Sequence, residues 1–477
     1  MDFSQLPDIS DQLVTPDNPA RDPTEGMDTA RCVALHNYLV LYAWVAKGRS
    51  PAALHAGSTT FFTAYDAAAE ALRPRLHPSL AAFLDAAIYP PDEPPEYLFF
   101  LADQINCPEE LIDNTTADLM DMPVDSLVNL YGHGQGGESG GGLFYLQDSH
   151  RAAVFMHMDD HDFAFPVSEH LELWHPLEAV LSNWIQLIKL GKVVAEHPDT
   201  PSRFDAEKFG SWDWRPYSDA QVDSCVAAWD RLCATIEARM PTTSTSTGTN
   251  CPPLVPSDTL DASSIPNPGF AHAFLTSARR PHFSHIAPGL VLPPIDMTSF
   301  ASHQPFTTLP WSSKHVVPPV CLFPAAPEQR EQTVEVTSTT SPFSWQEFSI
   351  YIPGPMRVGA GVYSDAVNRK LPGDIAEEGF HLLLPFRFRG IGAGEGVGAR
   401  RSDGAFVDGQ GLFQHGYKPF GGDTYRPQRL ERLFECWRGL VEEGVWTVGP
   451  DGVEGTLDTF REAGSARWRS YCIPPTW

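Results

Sequence analysis

The stretch LYGHGQGGESGGGLFYLQDSHRAAVFMH, residues 130–157, admits two opposed readings, and the choice between them decides the fold of the first half of the chain. Gly137-Glu138-Ser139-Gly140-Gly141 matches the Gly-x-Ser-x-Gly turn that presents a hydrolase nucleophile, and the preceding Gly132-His133-Gly134-Gln135-Gly136 repeats its rhythm with glycine in place of serine. That turn works only between a strand and a helix, because the helix N-terminus lies behind the nucleophile. Three adjacent glycines at 140–142 start a helix badly, each costing roughly 1 kcal/mol relative to alanine. LFYLQD and RAAVFMH are short, rich in aromatic and branched residues, and parted by Asp148-Ser149-His150. They predict a β-hairpin. Ser139 stays a candidate nucleophile by motif, and the glycines are expected to form a loop entering a strand.

Helices are expected around this hairpin. Leu35, Leu39, Tyr42 and Ala46 form a stripe that starts near Asp28 and stops at Gly48, and further helical segments are expected at 59–73, 78–88 and 108–120. After the hairpin, WHPLEAVLSNWIQLIKLGK places Pro176 at a first turn, Leu177, Val180, Leu181, Trp184 and Ile188 on one face, and Gly191 at the stop. Ser218-Asp219-Ala220-Gln221 is a capping box opening a helix that ends before Pro241. The tryptophans at 174, 184, 212, 214 and 229 read as core residues.

PTTSTSTGTNCPP, from Pro241, cannot bury enough apolar surface to offset its ordering entropy. The expected organisation is therefore an extended arm at 1–28, a helical and α+β domain at 29–240, a Ser/Thr/Pro linker at 241–266, and a β-rich domain with C-terminal helices at 267–477. The last part is Pro-rich, with β-prone pieces such as HVVPPVCLF and FHLLLPFRF and a closing helix near 427–443. The fold class expected is α+β: a mainly helical N-terminal domain with a small β-hairpin unit, and a β-rich, Pro-rich C-terminal domain closed by helices.

Sixty acidic residues against 33 basic ones give a net charge of −27 over 477 residues, a field that repels nucleic acid and anionic lipid. The acids are scattered, which is the pattern of a solvated surface. The start lacks a basic stretch followed by an apolar run, and Val33–Ala46 is too short to cross a bilayer. A soluble, cytoplasmic protein is expected, without a membrane or nucleic-acid partner. Eight cysteines show no Cys-x-x-Cys pair, so reduced thiols are expected.

Six of the 17 histidines, at 133, 150, 157, 161, 170 and 175, crowd into the hairpin region. If the strand RAAVFMHMD persists, alternation turns Phe155, His157 and Asp159 to one face. An imidazole and a carboxylate two residues apart on a strand can hold one metal ion, half of a two-His-one-carboxylate iron site. His161 could complete it locally, or His272 from a distance. The alternative is a strand ending in a solvated acidic turn.

This His-x-Asp pair, with His272 followed by Arg279 and Arg280, resembles in outline the Fe(II) and 2-oxoglutarate oxygenases. The resemblance implies an oxidoreductase acting on a small-molecule substrate, a basic residue binding the cosubstrate carboxylate, and a jelly roll to which 267–390 contributes. The low lysine content and closing RWRSYCIPPTW are similar to cytosolic fungal proteins encoded near specialised-metabolism genes, which also implies small-molecule chemistry. A different pattern, hairpin followed by amphipathic helix over about 125–195, resembles the SUKH superfamily and implies a non-catalytic module that binds a protein partner. The second glycine run, 390–398, resembles the first motif of S-adenosylmethionine-binding methyltransferases, but no helical stripe follows it, so it reads as a loop.

Overall fold

The computed structural model describes the chain except residues 1–2, 91–97, 113–116, 118–121, 134–140, 156–166, 205, 207, 242–250, 310–314, 338–339, 344–353, 371–374, 389–396, 408, 417–419, 422–426 and 476–477. The protein is α+β, with helices and several small, mainly antiparallel sheets, and among the described residues no closed barrel. It divides into two compact units, Met1–Arg215 with Tyr417–Asp423 and Pro475–Trp477, and Pro216–Gly416 with Thr424–Pro474. The division thus falls at 215/216, not inside 241–266. The helix Asp219–Glu237 packs on Leu430–Glu442 in the second unit, and the expected linker contains a helix of its own, Ser257–Ala262.

In the first unit, α1 (Thr29–Ala46) is capped by the Asp28 side chain, which accepts from the Arg31 amide. The expected stripe is buried, and so are Tyr38, Val40, Leu41, Ala43, Trp44 and Val45. A helix apolar on nearly every side is a core helix. Four strands form an antiparallel meander in the order β1 (Ala102–Ile105), β2 (Leu127–His133), β3 (Gly142–Leu146) and β4 (Arg151–Phe155). The glycine run is therefore followed by a strand. The elbow's helix is absent, as the residues of β3 predict.

Every residue of β3 is buried. Phe144 and Leu146 join Leu127, Ala153, Phe155, Leu173 and Trp174 in one cluster. Alternation sends Leu143 and Tyr145 to the other face. Tyr131 stacks there on His36 of α1, with ring centroids 5.7 Å apart. The helix Leu177–Lys189 buries Leu177, Val180, Leu181, Trp184 and Ile188 as its periodicity predicts.

The N-terminal segment, expected as an extended arm, is tied to α1. Arg31, buried on α1, donates to the carbonyls of Gln12, Leu13, Asn18 and Pro19 at 2.7–3.0 Å. Charge-assisted bonds to four backbone carbonyls supply what the segment's own apolar content lacks.

In the second unit, the capping box of Ser218 and Gln221 is present. Trp229 of its helix stacks on Phe323 at 5.3 Å and meets Phe434 edge-on at 5.3 Å. Phe323 belongs to a three-stranded antiparallel sheet, Cys321–Pro324, Gly361–Ser364 and Phe380–Leu383. His285–Ala287, Leu290–Val291, Val448–Gly449 and Gly452–Val453 make a four-stranded sheet, and two strand pairs complete the unit. Among the described residues these sheets are too short and separate to form the jelly roll implied by the oxygenase resemblance. Prolines at 288, 318, 324 and 450 lie at the end of a strand or directly after it, where a residue without an N–H to donate is tolerated.

Candidate functional site

One end of the four-stranded sheet gathers the unusual groups of the first unit. Gly132 of β2 pairs with Gly142 of β3, and Gly142 pairs with Phe155, the last residue of β4. Ala102 of β1 faces His133 across the same end. The paired glycines are required there. A Cβ on Gly132 would lie 2.9 Å from Asn106 Oδ1 and 3.5 Å from Asp103 Cβ. Gly142 has φ +140°, and its Cβ would strike the Tyr131 carbonyl and come within 2.7 Å of Asn129 Oδ1. Bare backbone thus makes room for three polar side chains, Asp103, Asn106 and Asn129.

Their hydrogen bonding is incomplete. Asn106 Nδ2 donates to the Asn129 carbonyl at 2.9 Å. Asp103 Oδ1 and Asn129 Oδ1 are buried and, among the described residues, have no hydrogen-bond partner. Native structures leave few such atoms, since each costs about 1–3 kcal/mol. Burial pushes the Asp103 carboxyl up to about 6. It therefore changes protonation close to neutral pH. A carboxylate so placed can accept a proton from a bound molecule or hold a hard cation, and Asn129 Oδ1 adds a second oxygen acceptor.

Of the residues singled out by sequence, Ser139 lies outside the described residues, as do His157, Asp159 and His161. The elbow context that Ser139 would need is not met, because β3 occupies the place of the helix. His272 is buried on the helix Phe270–Ser277, its Nε2 3.3 Å from Asp261 Oδ1 and 3.5 Å from Ser257 Oγ. Arg279 forms a two-pronged bond with Glu237 at 2.9 and 3.1 Å and a third with Asp230 at 3.1 Å. The acids beside it raise its pKa further. Arg280 donates to the carbonyls of Leu254 and Pro293 at 2.7 and 2.9 Å. A cosubstrate carboxylate would have to displace Glu237 from Arg279, or backbone carbonyls from Arg280.

Among the described residues no group of three or more His, Cys, Asp or Glu is placed to hold a metal. No described helix is long and apolar enough to cross a membrane. Asp103, Asn106 and Asn129 were not found from sequence, since strand pairing alone brings them together. The one signal available was the pair Gly132 and Gly142, whose meaning depends on their facing each other. No protein-family model matches this chain, and neither a curated protein nor a solved structure is similar to it.

Proposed function

We propose that the first unit acts on a small molecule at the glycine-paired end of its sheet, with Asp103 as the working carboxylate, and that the chemistry is metal-dependent oxidation. The observation that carries the reading is Asp103 itself: a buried carboxylate oxygen with no donor, and a protonation midpoint pushed to about 6 by desolvation. Perturbed groups of this kind concentrate at functional sites.

The metal enters through sequence. β4 ends at Phe155, opposite Gly142, and in sequence His157-Met158-Asp159 follow two residues later. Nitrogen and carboxylate donors with open positions suit Fe(II), and Asp103 Oδ1 is an oxygen donor with no competing partner among the described residues. When bound, such an ion would supply Lewis-acid and redox chemistry. Asp103 would hold the ion or take up a substrate proton, and the apolar cluster of Phe144, Phe155 and Trp174 would limit water at the sheet. Arg279 and Arg280 have no part in this reading.

The test needs no known substrate. Metal content of the purified protein and the rise in melting temperature on anaerobic addition of Fe(II) are measured for the parent, Asp103→Asn, His157→Ala and Asp159→Ala. Near-stoichiometric metal or a melting shift in the parent, lost in His157→Ala and Asp159→Ala, supports the reading. A parent that neither carries metal nor responds to Fe(II) refutes the oxidoreductase. If it also retains one protein partner through purification, the SUKH-like interaction module replaces it.

A further inference from the structure

The turn Asp148-Ser149-His150 between β3 and β4 meets the start of the helix Pro78–Ala86 through two imidazoles. The rings of His77 and His150 stand edge to face, with centroids 4.5 Å apart. His77 is exposed and His150 half-buried. Each ring also makes a hydrogen bond that depends on its protons. His77 Nδ1 accepts from the Ser79 amide at 3.3 Å and so caps the helix, which requires that nitrogen to be unprotonated. His150 Nδ1 lies 2.9 Å from the hydroxyl of Tyr145, a buried residue of β3. The His150 backbone has φ +55°, an uncommon conformation outside glycine.

With both rings neutral these contacts support one another: the imidazoles pack as aromatic rings do, and the cap is made. Acid reverses each of them. A proton on His77 Nδ1 removes the acceptor from Ser79 and puts a positive charge at the helix N-terminus, where the dipole is already positive. A proton on His150 as well sets two like charges about one ring contact apart. Folding already disfavours that proton, because burial first and His77 second lower the His150 pKa from its ordinary 6.5. The charged form is penalised in the folded state, so the contact is fully kept above about 6.5 and weakens as the pH falls below it.

The charged and titratable neighbours leave this balance in place. Asp148, in the same turn, favours the charged imidazole, but less than burial or His77 disfavours it. A Cβ on Gly26 would lie 3.9 Å from His150 Nε2; of the acids flanking that glycine, Glu25 is exposed and Asp28 is engaged with Arg21 and the Arg31 amide. Arg151, next in the chain, donates to the Trp174 carbonyl at 2.7 Å, and Arg75, beside His77, is paired with Asp125 at 2.9 Å. Burial raises the Tyr145 phenol above its ordinary value.

We infer that His77 and His150 form a pH-operated latch between the β3–β4 turn and the helix Pro78–Ala86, closed when both imidazoles are neutral and released when both are charged. Gln147 limits how far it opens: its Oε1 accepts from the His77 amide at 2.6 Å, and its Nε2 donates to the Arg75 carbonyl at 3.1 Å. Release is therefore confined to residues 148–150 and the first turn of the helix. The inference does not depend on Asp103 or on any metal.

Hydrogen exchange followed by mass spectrometry, on the full chain near pH 7.5 and near pH 5 with each rate divided by that of the unstructured peptide, reads the latch in peptides covering 76–81 and 147–152. The readout is each protein's own ratio between the two pH values, so a variant less protected at both still reports. The parent is expected to lose protection about tenfold in these peptides at the lower pH, the effect of one helix cap and one ring contact, while β3 stays unchanged. His77→Asn keeps a capping side chain without a charge, and His150→Asn tolerates the positive φ without one. Both should show a ratio close to one. A parent ratio of one overturns the inference, as does a tenfold loss that persists in either variant. Loss of protection spread evenly over β3 and α1 also overturns it, because acid would then be unfolding the whole unit. Asp103→Asn should leave the ratio as in the parent, so the latch and the carboxylate reading fail separately.

Discussion

Replacing Arg31 by methionine should release the N-terminal segment while leaving α1 formed. The Arg31 guanidinium makes four hydrogen bonds to backbone carbonyls of residues 12, 13, 18 and 19, all between 2.7 and 3.0 Å. At about 1–1.5 kcal/mol net for each bond, the group contributes roughly 4–6 kcal/mol. Water can solvate the carbonyls once the segment opens, and methionine keeps part of the side-chain packing. About 3 kcal/mol is therefore a fair expectation, or some 100-fold in the local opening equilibrium. Two amides report it directly: Val14 N–H donates to Ser182 Oγ at 2.8 Å and Arg21 N–H to Glu178 Oε1 at 3.0 Å. Hydrogen exchange followed by mass spectrometry should show residues 8–27 exchanging about 100-fold faster in Arg31→Met, with α1 unchanged. Thermolysin should gain a cleavage site near Leu13. Protection equal to the parent's would mean that the clamp is redundant and that the segment is held by its other contacts, those of Val14 and Arg21 among them.

Asp103 gives a pH signature. Its folded midpoint, about 6, lies above its ordinary value, so folding penalises the charged form. The penalty is absent below about pH 4, grows through pH 6 and is constant above that. Asp103→Asn should therefore melt above the parent at pH 7–8, by about 1–2 kcal/mol after allowance for partial exposure, and match it near pH 4; parallel melting curves across this range would sink the assignment. Gly142→Ala combines φ +140° with a Cβ driven into the Tyr131 carbonyl and Asn129. A loss of more than about 2 kcal/mol in urea unfolding is expected, and an unchanged midpoint would show that the strand end can relax. For the thiols, Cys251 is exposed whereas Cys32, Cys225, Cys233 and Cys321 are buried, with burial pushing Cys321 up to about 12. Ellman's reagent should titrate Cys251 first and those four only on unfolding, and rapid native reaction of more than the exposed and half-buried thiols would contradict the packing.

Local pattern alone identified much of the secondary structure. The capping box at Ser218, the apolar stripes of α1 and of Leu177–Lys189, and the alternation around Asp148-Ser149-His150 depend on residues close along the chain, so the elements they predict were recovered. Of the helix expected at 108–120, the stretch Pro108–Leu111 is described as helical, and residues 113–116 and 118–121 lie outside the described residues. Chain pattern misplaced the division between units, because the partner of Asp219–Glu237 is a helix some 200 residues away, and nothing between them in sequence announces that pairing. It also gave no sign that the N-terminal arm is tied to α1. Few of its residues are apolar, and much of what holds it is hydrogen bonding to backbone groups, from Arg31 on α1 and at the amides of Val14 and Arg21, which carry no sequence identity.

The candidate site shows the same limit more sharply. Asp103, Asn106 and Asn129 are ordinary polar residues in a linear reading, 26 positions apart at the extremes. Antiparallel pairing of β1 with β2 and of β2 with β3 brings them around two facing glycines, and burial then raises one carboxyl and leaves two oxygens without donors. Periodicity reports which face of an element is apolar. Desolvation and unmet hydrogen bonds arise between elements, and they exist only once the chain has folded.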